Sequence, residues 1–123
     1  MRRMTQQRKT ILECLKQARR PLSATELLAA AARQIPLINL ATIYRNIKIL
    51  LEEKILVEVQ LAGQAPRYEY NGLKEHHHFL CQACNRLYDI EESSAAPAST
   101  LPNGFKAFKC DVTLHGVCHE CNY

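Results

Sequence analysis

Apolar residues recur at helical spacing three times in the first half of the chain, and the pattern then changes to the alternation of strands. Between Thr5 and Arg20, Ile11, Leu12, Leu15 and Ala18 share one helical face, and Pro21 closes the run. Ser23 stands where an N-cap belongs, with Glu26 three places on as its capping-box partner, ahead of Leu27, Leu28 and Ala31; a second helix to about Arg33 follows. Past the loop QIPLI, Asn39 can cap a third helix in which Ile43, Ile47, Leu50 and Leu51 face inward while Thr42, Tyr44, Arg45 and Lys48 point elsewhere. ILVEVQL and RYEY, separated by AGQAP with its Gly63 and Pro66, read as a hairpin. Three helices and a hairpin make a winged helix, with the third helix offered to the major groove and the hairpin as a flanking wing. A module of this shape can also serve protein contacts. Three further alternating stretches, in YEYNGLKEHHHFLCQAC, RLYDIEE and FKAFKCDVTLHGVC, suit a small antiparallel sheet.

Charge separates the two halves. Residues 1–60 carry eleven Lys and Arg against five Asp and Glu, net +6, whereas residues 61–123 carry five against seven, net −2. A basic front half suits a polyanion partner, and the back half does not. No apolar run approaches the length of a bilayer span, and MRRMTQQRKT leads into a mixed helix rather than a signal-peptide core, so a soluble, cytoplasmic protein without membrane partners is expected. There is no Gly-rich phosphate loop, nucleophilic-serine motif or HExxH helix, and neither an enzyme nor a small-molecule substrate is expected.

Candidate chemistry is concentrated in HHHFLCQACNRLYDI, residues 76–90. Of six cysteines, four form two Cys-x-x-Cys pairs, Cys81/Cys84 and Cys118/Cys121, with 33 residues between the pairs. Each pair presents two thiolates to one ion, and two pairs complete the closed tetrahedral shell of structural zinc. Such an ion would tie the start of the back lobe to the end of the chain around a core too small to hold itself. A redox dithiol at Cys81 and Cys84 is the competing reading, and it predicts an accessible low-pKa thiol and no tightly held zinc. On a strand, His76 and His78 project from one face and His77 from the other.

LATIYRNIKIL, TQQRKTILECL and the histidine-cysteine stretch together resemble the ferric uptake regulator family of metal-dependent repressors, over nearly the whole chain. The resemblance implies an α+β chain: a winged-helix DNA-binding domain over residues 1–72, then a small α/β zinc-stapled dimerisation domain over 73–123. It implies a homodimer on a double-stranded operator, with Tyr44 and Arg45 reaching bases and phosphates and Arg8 touching the backbone; Thr42 and Lys48 complete the candidate DNA-facing set. It also implies structural zinc on the four paired cysteines. Glu69 and Asp89 match regulatory-site ligands of the family, and with His76 and His78 they form a nitrogen-oxygen set suited to an exchangeable Fe(II), Mn(II) or Zn(II).

Two departures stand out. Pro21 occupies the place where many members have a sensing histidine, which leaves four protein ligands for the regulatory ion. Cys110 falls where members with an additional site often have a histidine; with His77, and Glu75 or Glu91, it could take a softer ion, or it could be a buried small apolar residue. The segment SSAAPASTLPNG is short and broken by Pro97 and Pro102 where the family often has a longer helix. Competing functions are a peroxide-sensing repressor of the same family, for which an aspartate at the wing position would be more favourable than Glu69, a thiol oxidoreductase using Cys81 and Cys84, and a purely structural zinc module. Cys14, His115 and His119 carry no assigned role.

Overall fold

The computed structural model describes residues 4–72, 76–91, 101–108, 110 and 112–122. Glu75, the side chain of Glu91 and most of SSAAPASTLPNG lie outside them. The chain divides into two compact units, Met1–Leu73 and Lys74–Tyr123.

In the first unit, helix α1 spans Gln6–Ala18, capped by Thr5, whose hydroxyl accepts from the Arg8 amide at 3.2 Å. It stops before Pro21, because Arg19 turns left-handed at φ 55°. Helix α2 (Ala24–Ala31) has the full capping box: Ser23 Oγ accepts from the Glu26 amide at 3.2 Å, and Glu26 Oε1 accepts from the Ser23 amide at 3.0 Å. It ends at Ala31, two residues short of the expected limit. Helix α3 (Leu40–Glu52) is capped by Asn39, whose Oδ1 accepts from the Thr42 amide at 2.9 Å. The spacing that marked these helices also builds the core: Ile11, Leu15, Leu27, Ala31, Ile43, Ile47 and Leu50 are buried against one another with Leu56 and Tyr68. A side chain the size of Ile43 stabilises by about 1.5–3 kcal/mol when fully buried.

The hairpin consists of β2 (Leu56–Val59) and β3 (Arg67–Tyr70), with Leu56 opposite Tyr70 and Val59 opposite Arg67. Its loop reverses through Gly63 at φ 74°. A strand of two residues, β1 (Leu22–Ser23), adds antiparallel to the free edge of β3, giving the order β1-β3-β2. Two residues have no period, which is why the hydrophobic pattern did not reveal β1.

The second unit holds β4 (His76–Cys81), β5 (Leu87–Glu91) and β6 (Thr113–Gly116), in the order β5-β4-β6. The expectation of an all-antiparallel sheet is corrected here. β4 and β5 are antiparallel across the turn at 82–86, but β6 pairs with β4 instead of with β5, and the two strands run parallel with Cys81 opposite Gly116. Among the described residues of FKAFKCDVTLHGVC, Thr113–Gly116 join the sheet, and Phe105 and Phe108 are exposed.

Two expectations follow for the first unit. Ser23→Ala should cost about 1 kcal/mol in denaturant unfolding. Burial opposes ionisation of Glu26, but the Ser23 amide and the Arg20 guanidinium, 3.0 Å away, hold its carboxyl below the ordinary 4.5. Its stabilisation is therefore present at neutral pH and lost as pH falls through that lowered value, so the wild-type advantage over Glu26→Gln, measured by denaturant unfolding, should shrink in acid. Ile43→Ala, at a fully buried position, should cost about 2–5 kcal/mol by the same measurement.

Candidate metal centres and reading helix

The parallel pairing of β6 with β4 determines where the four paired cysteines meet. Cys81 ends β4, Cys84 follows in the turn, and the chain leaving Gly116 at the same end of the sheet reaches Cys118 two residues later. The sulfurs of Cys81, Cys84, Cys118 and Cys121 all lie within 4.8 Å of one another, with Cys84 and Cys118 3.8 Å apart. The turn is held by the Asn85 amide, which donates to the Cys81 carbonyl at 2.9 Å with Asn85 left-handed at φ 63°. The amides of Cys121 and Asn122 donate to the Cys118 carbonyl at 3.1 and 3.0 Å in the second turn.

Backbone donors also reach the sulfur itself. The amides of Cys84 and Cys118 point at Cys81 Sγ from 3.4 and 3.3 Å. Those two amides, Cys84 first, draw the Cys81 thiol down to about 6. At Cys118 burial pushes upward, but hydrogen bonding from the Tyr88 hydroxyl and the Cys121 amide outweighs it, and the thiol is lowered. Cys121 is pushed up to about 12, chiefly by hydrogen bonding with the Cys118 sulfur. Two sulfurs prepared to ionise beside a third that resists make a shell that needs a cation before all four can be thiolates, and a set of four sulfurs suits zinc. The participation of Tyr88 was not foreseen; a tyrosine four residues past Cys84 carries no sequence signal for a contact with Cys118.

His76 and His78 project from one face of β4, as the strand period requires, with ring centroids 4.9 Å apart. Register places Asp89 of β5 opposite His78, and Asp89 Oδ1 lies 3.1 Å from Nε2 of His76 and 3.3 Å from Nε2 of His78. That buried oxygen makes no aligned hydrogen bond. Two imidazole nitrogens and a carboxylate oxygen thus converge, a donor set that fits a divalent ion of intermediate softness. His77 faces the other way and is 1% exposed. Its Nδ1 accepts from the Val112 amide at 3.2 Å, which puts the proton on Nε2, and that atom has no partner among the described residues. Cys110, for which a buried apolar role was one reading, is exposed. Neither His77 nor Cys110 joins a cluster of three or more candidate ligands among the described residues. His115 is exposed and bonded to Gln82 at 2.9 Å, and His119 is exposed in a turn.

In the first unit, Glu69 lies on β3 and is 6% exposed. Pro21 is fully buried ahead of β1. Ala41, Tyr44, Arg45 and Lys48 form the exposed stripe of α3, with Tyr44 half exposed. Thr42 and Arg8 do not belong to that outer surface, being 7% and 8% exposed. Thr42 stands one helical step from Ile43 on the core-facing side, so its expected outward orientation is corrected. Asn46, 4% exposed, was missed by sequence reasoning, because a polar residue between Arg45 and Ile47 reads as surface unless its partner is known. That partner is Arg8, whose Nε donates to Asn46 Oδ1 at 3.1 Å.

The family model for the ferric uptake regulator family matches residues 2–115. The chain belongs to that family. The "Ferric uptake regulation protein" of Synechococcus elongatus is 33% identical, with 97% of this chain and 85% of that protein covered. The "Peroxide-responsive repressor PerR" of Staphylococcus aureus is 30% identical, with 97% and 82% covered. Among solved structures, a zinc-bound manganese uptake regulator shares the fold at a TM-score of 0.81 and 21% identity, over 95% of this chain and 91% of that one.

As a ferric uptake regulator family member the protein is a metal-responsive transcriptional regulator and not an enzyme, and its family is one of DNA-binding dimers. The thiol oxidoreductase reading falls with this assignment and with the gathering of all four paired cysteines at one place. The fold is α+β with a zinc-stapled C-terminal unit. Among the described residues no helix is long and apolar enough to cross a membrane.

Cys118→Ser should leave three thiolates, which hold zinc poorly. Purified protein should then contain much less zinc than wild type and lose cooperative unfolding of the second unit. Full zinc content measured by elemental analysis would contradict the four-sulfur shell.

Proposed function

We propose that the protein is a dimeric repressor in which an exchangeable divalent ion, held by His76, His78, Asp89 and Glu69, controls how tightly α3 grips an operator. The observation that carries the reading is the convergence of His76 and His78 on an Asp89 oxygen that no aligned hydrogen bond satisfies. Glu69 enters the set through its match to the family's wing ligand and its burial on β3. When bound, the ion supplies a positive charge that favours one arrangement of these side chains. By linkage, whatever factor it adds to DNA affinity DNA adds to metal affinity.

The direct DNA contacts are assigned to Tyr44, Arg45 and Lys48, the exposed stripe of α3. A guanidinium can pair with a guanine edge or clamp a phosphate, and a tyrosine ring can lie on a thymine methyl. Regulation of metal-homeostasis genes follows from a nitrogen-oxygen site open to Fe(II), Mn(II) or Zn(II). A peroxide-sensing repressor is the second reading, supported by the similarity to PerR. The family resemblance ties that chemistry to an aspartate at the wing, and this chain carries Glu69 there, which favours the metal-sensing reading.

The deciding experiment is a DNA-binding titration of the zinc-stapled dimer, stripped of loosely held ions and then supplied with Fe(II), Mn(II) or Zn(II) in turn. Affinity for its own promoter should rise with at least one ion; equal affinity in the stripped and loaded forms would overturn the proposal. His78→Ala should keep structural zinc and folding but remove the metal dependence. Arg45→Ala should weaken operator binding by about 1–3 kcal/mol with both metal contents unchanged.

A further inference from the structure

The exposed stripe of α3 is backed by a continuous polar seam inside the first unit. Arg8 Nε, on α1, donates to Asn46 Oδ1 at 3.1 Å, and Asn46 Nδ2 donates to the Thr42 carbonyl one turn back at 2.9 Å. The Thr42 hydroxyl then accepts from Arg45 Nη2 at 3.1 Å. Three of these side chains are more than nine-tenths buried, and only Arg45 emerges. A buried seam of this kind has few alternative arrangements, because slipping any member strands a polar group away from water.

We propose that Thr42 is a positioning residue for DNA recognition: its hydroxyl, on a buried residue whose carbonyl is anchored by the Arg8–Asn46 pair, holds the Arg45 guanidinium in its reading orientation without itself touching DNA. This inference rests on the reading of α3 as the DNA-contacting helix. An unrestrained arginine loses side-chain freedom on binding; one already tied to Thr42 loses less, and the rest of its donor fork remains for a base or phosphate. Holding the fork also favours one base over others, so the effect belongs to discrimination more than to general attraction for DNA.

The test uses the full-length dimer carrying zinc and Mn(II), with a duplex that the wild-type protein has selected from a random-sequence pool and an unrelated duplex as control. Thr42→Val is nearly isosteric at this buried position and removes only the hydroxyl. It should weaken binding to the selected duplex about threefold to tenfold, leave the unrelated duplex and the salt dependence unchanged, and not lower the melting temperature. Thr42→Ser should restore wild-type discrimination. In an Arg45→Ala background, Thr42→Val should have no further effect, because its role passes through the missing guanidinium. Additive losses in the double variant would mean that Thr42 meets DNA directly, and equal losses on both duplexes would mean a general structural role; either result overturns the inference while leaving α3 as the reader. If Arg45→Ala alone leaves the selected duplex fully bound, the underlying assignment of α3 fails, and the inference with it.

Discussion

Four thiols can share one shell in the second unit because β4 and β6 run in the same direction. Cys81 closes β4 and Gly116 closes β6 at the same level of the sheet, so both Cys-x-x-Cys turns leave from one end. Were β6 antiparallel to β4, Cys118 would leave at the far end and the two pairs would be separated by the length of a strand. Gly116 is small for a reason in this arrangement: a Cβ there would come within 3.1 Å of the Phe79 ring. Among the described residues of this fifty-residue unit the buried side chains are few, Leu80, Cys81, Leu87 and His77 among them. Ligand bonds to zinc supply the cohesion that such a small core lacks.

The first unit solves a different problem with the same economy of parts. Helix α3 must present charge and aromatic surface on one side and pack Ile43, Ile47 and Leu50 on the other. Its boundary between the two is polar on the inside as well, where Asn46 accepts from Arg8 and donates to the Thr42 carbonyl. Apolar packing alone would tolerate small rotations of a helix about its axis, since hydrophobic contact is not directional. A buried hydrogen-bonded seam does not tolerate them, and it sets which residues of α3 face outward.

Most of this organisation was legible in the sequence, and the parts that were not share a cause. Ser23 with Glu26, Asn39 ahead of α3 and the alternation of His76, His77 and His78 are local signals, and each appears in the structure where the spacing put it. The two Cys-x-x-Cys pairs gave their ligand set by chemistry alone. The misread features depend on partners distant in sequence. β1 exists only because β3 offers an edge, and β6 is parallel because it passes β5 to reach the other side of β4. Arg8 and Asn46 are buried because each satisfies the other across 38 positions. A long cation and an amide otherwise read as solvent-facing; Arg8 is expected at the DNA backbone from the family resemblance, and Thr42 reads as outward because it falls between the apolar positions of α3.

The two metal centres in this reading are not independent, although their ligand sets share no residue. The turn bearing Cys81 and Cys84 joins β4 to β5, and the Cys81 amide closes it by donating to the Arg86 carbonyl at 3.0 Å. That closure sets the β4–β5 register, and the register sets Asp89 opposite His78. Because side chains alternate along a strand, a slip of one residue would turn Asp89 to the face occupied by the buried ring of His77 and would break the nitrogen-oxygen set. A sulfur shell that exchanges its ion slowly therefore holds in register the strands that carry His76, His78 and Asp89. The softer ligands stabilise, and the harder ones remain available for an ion that comes and goes.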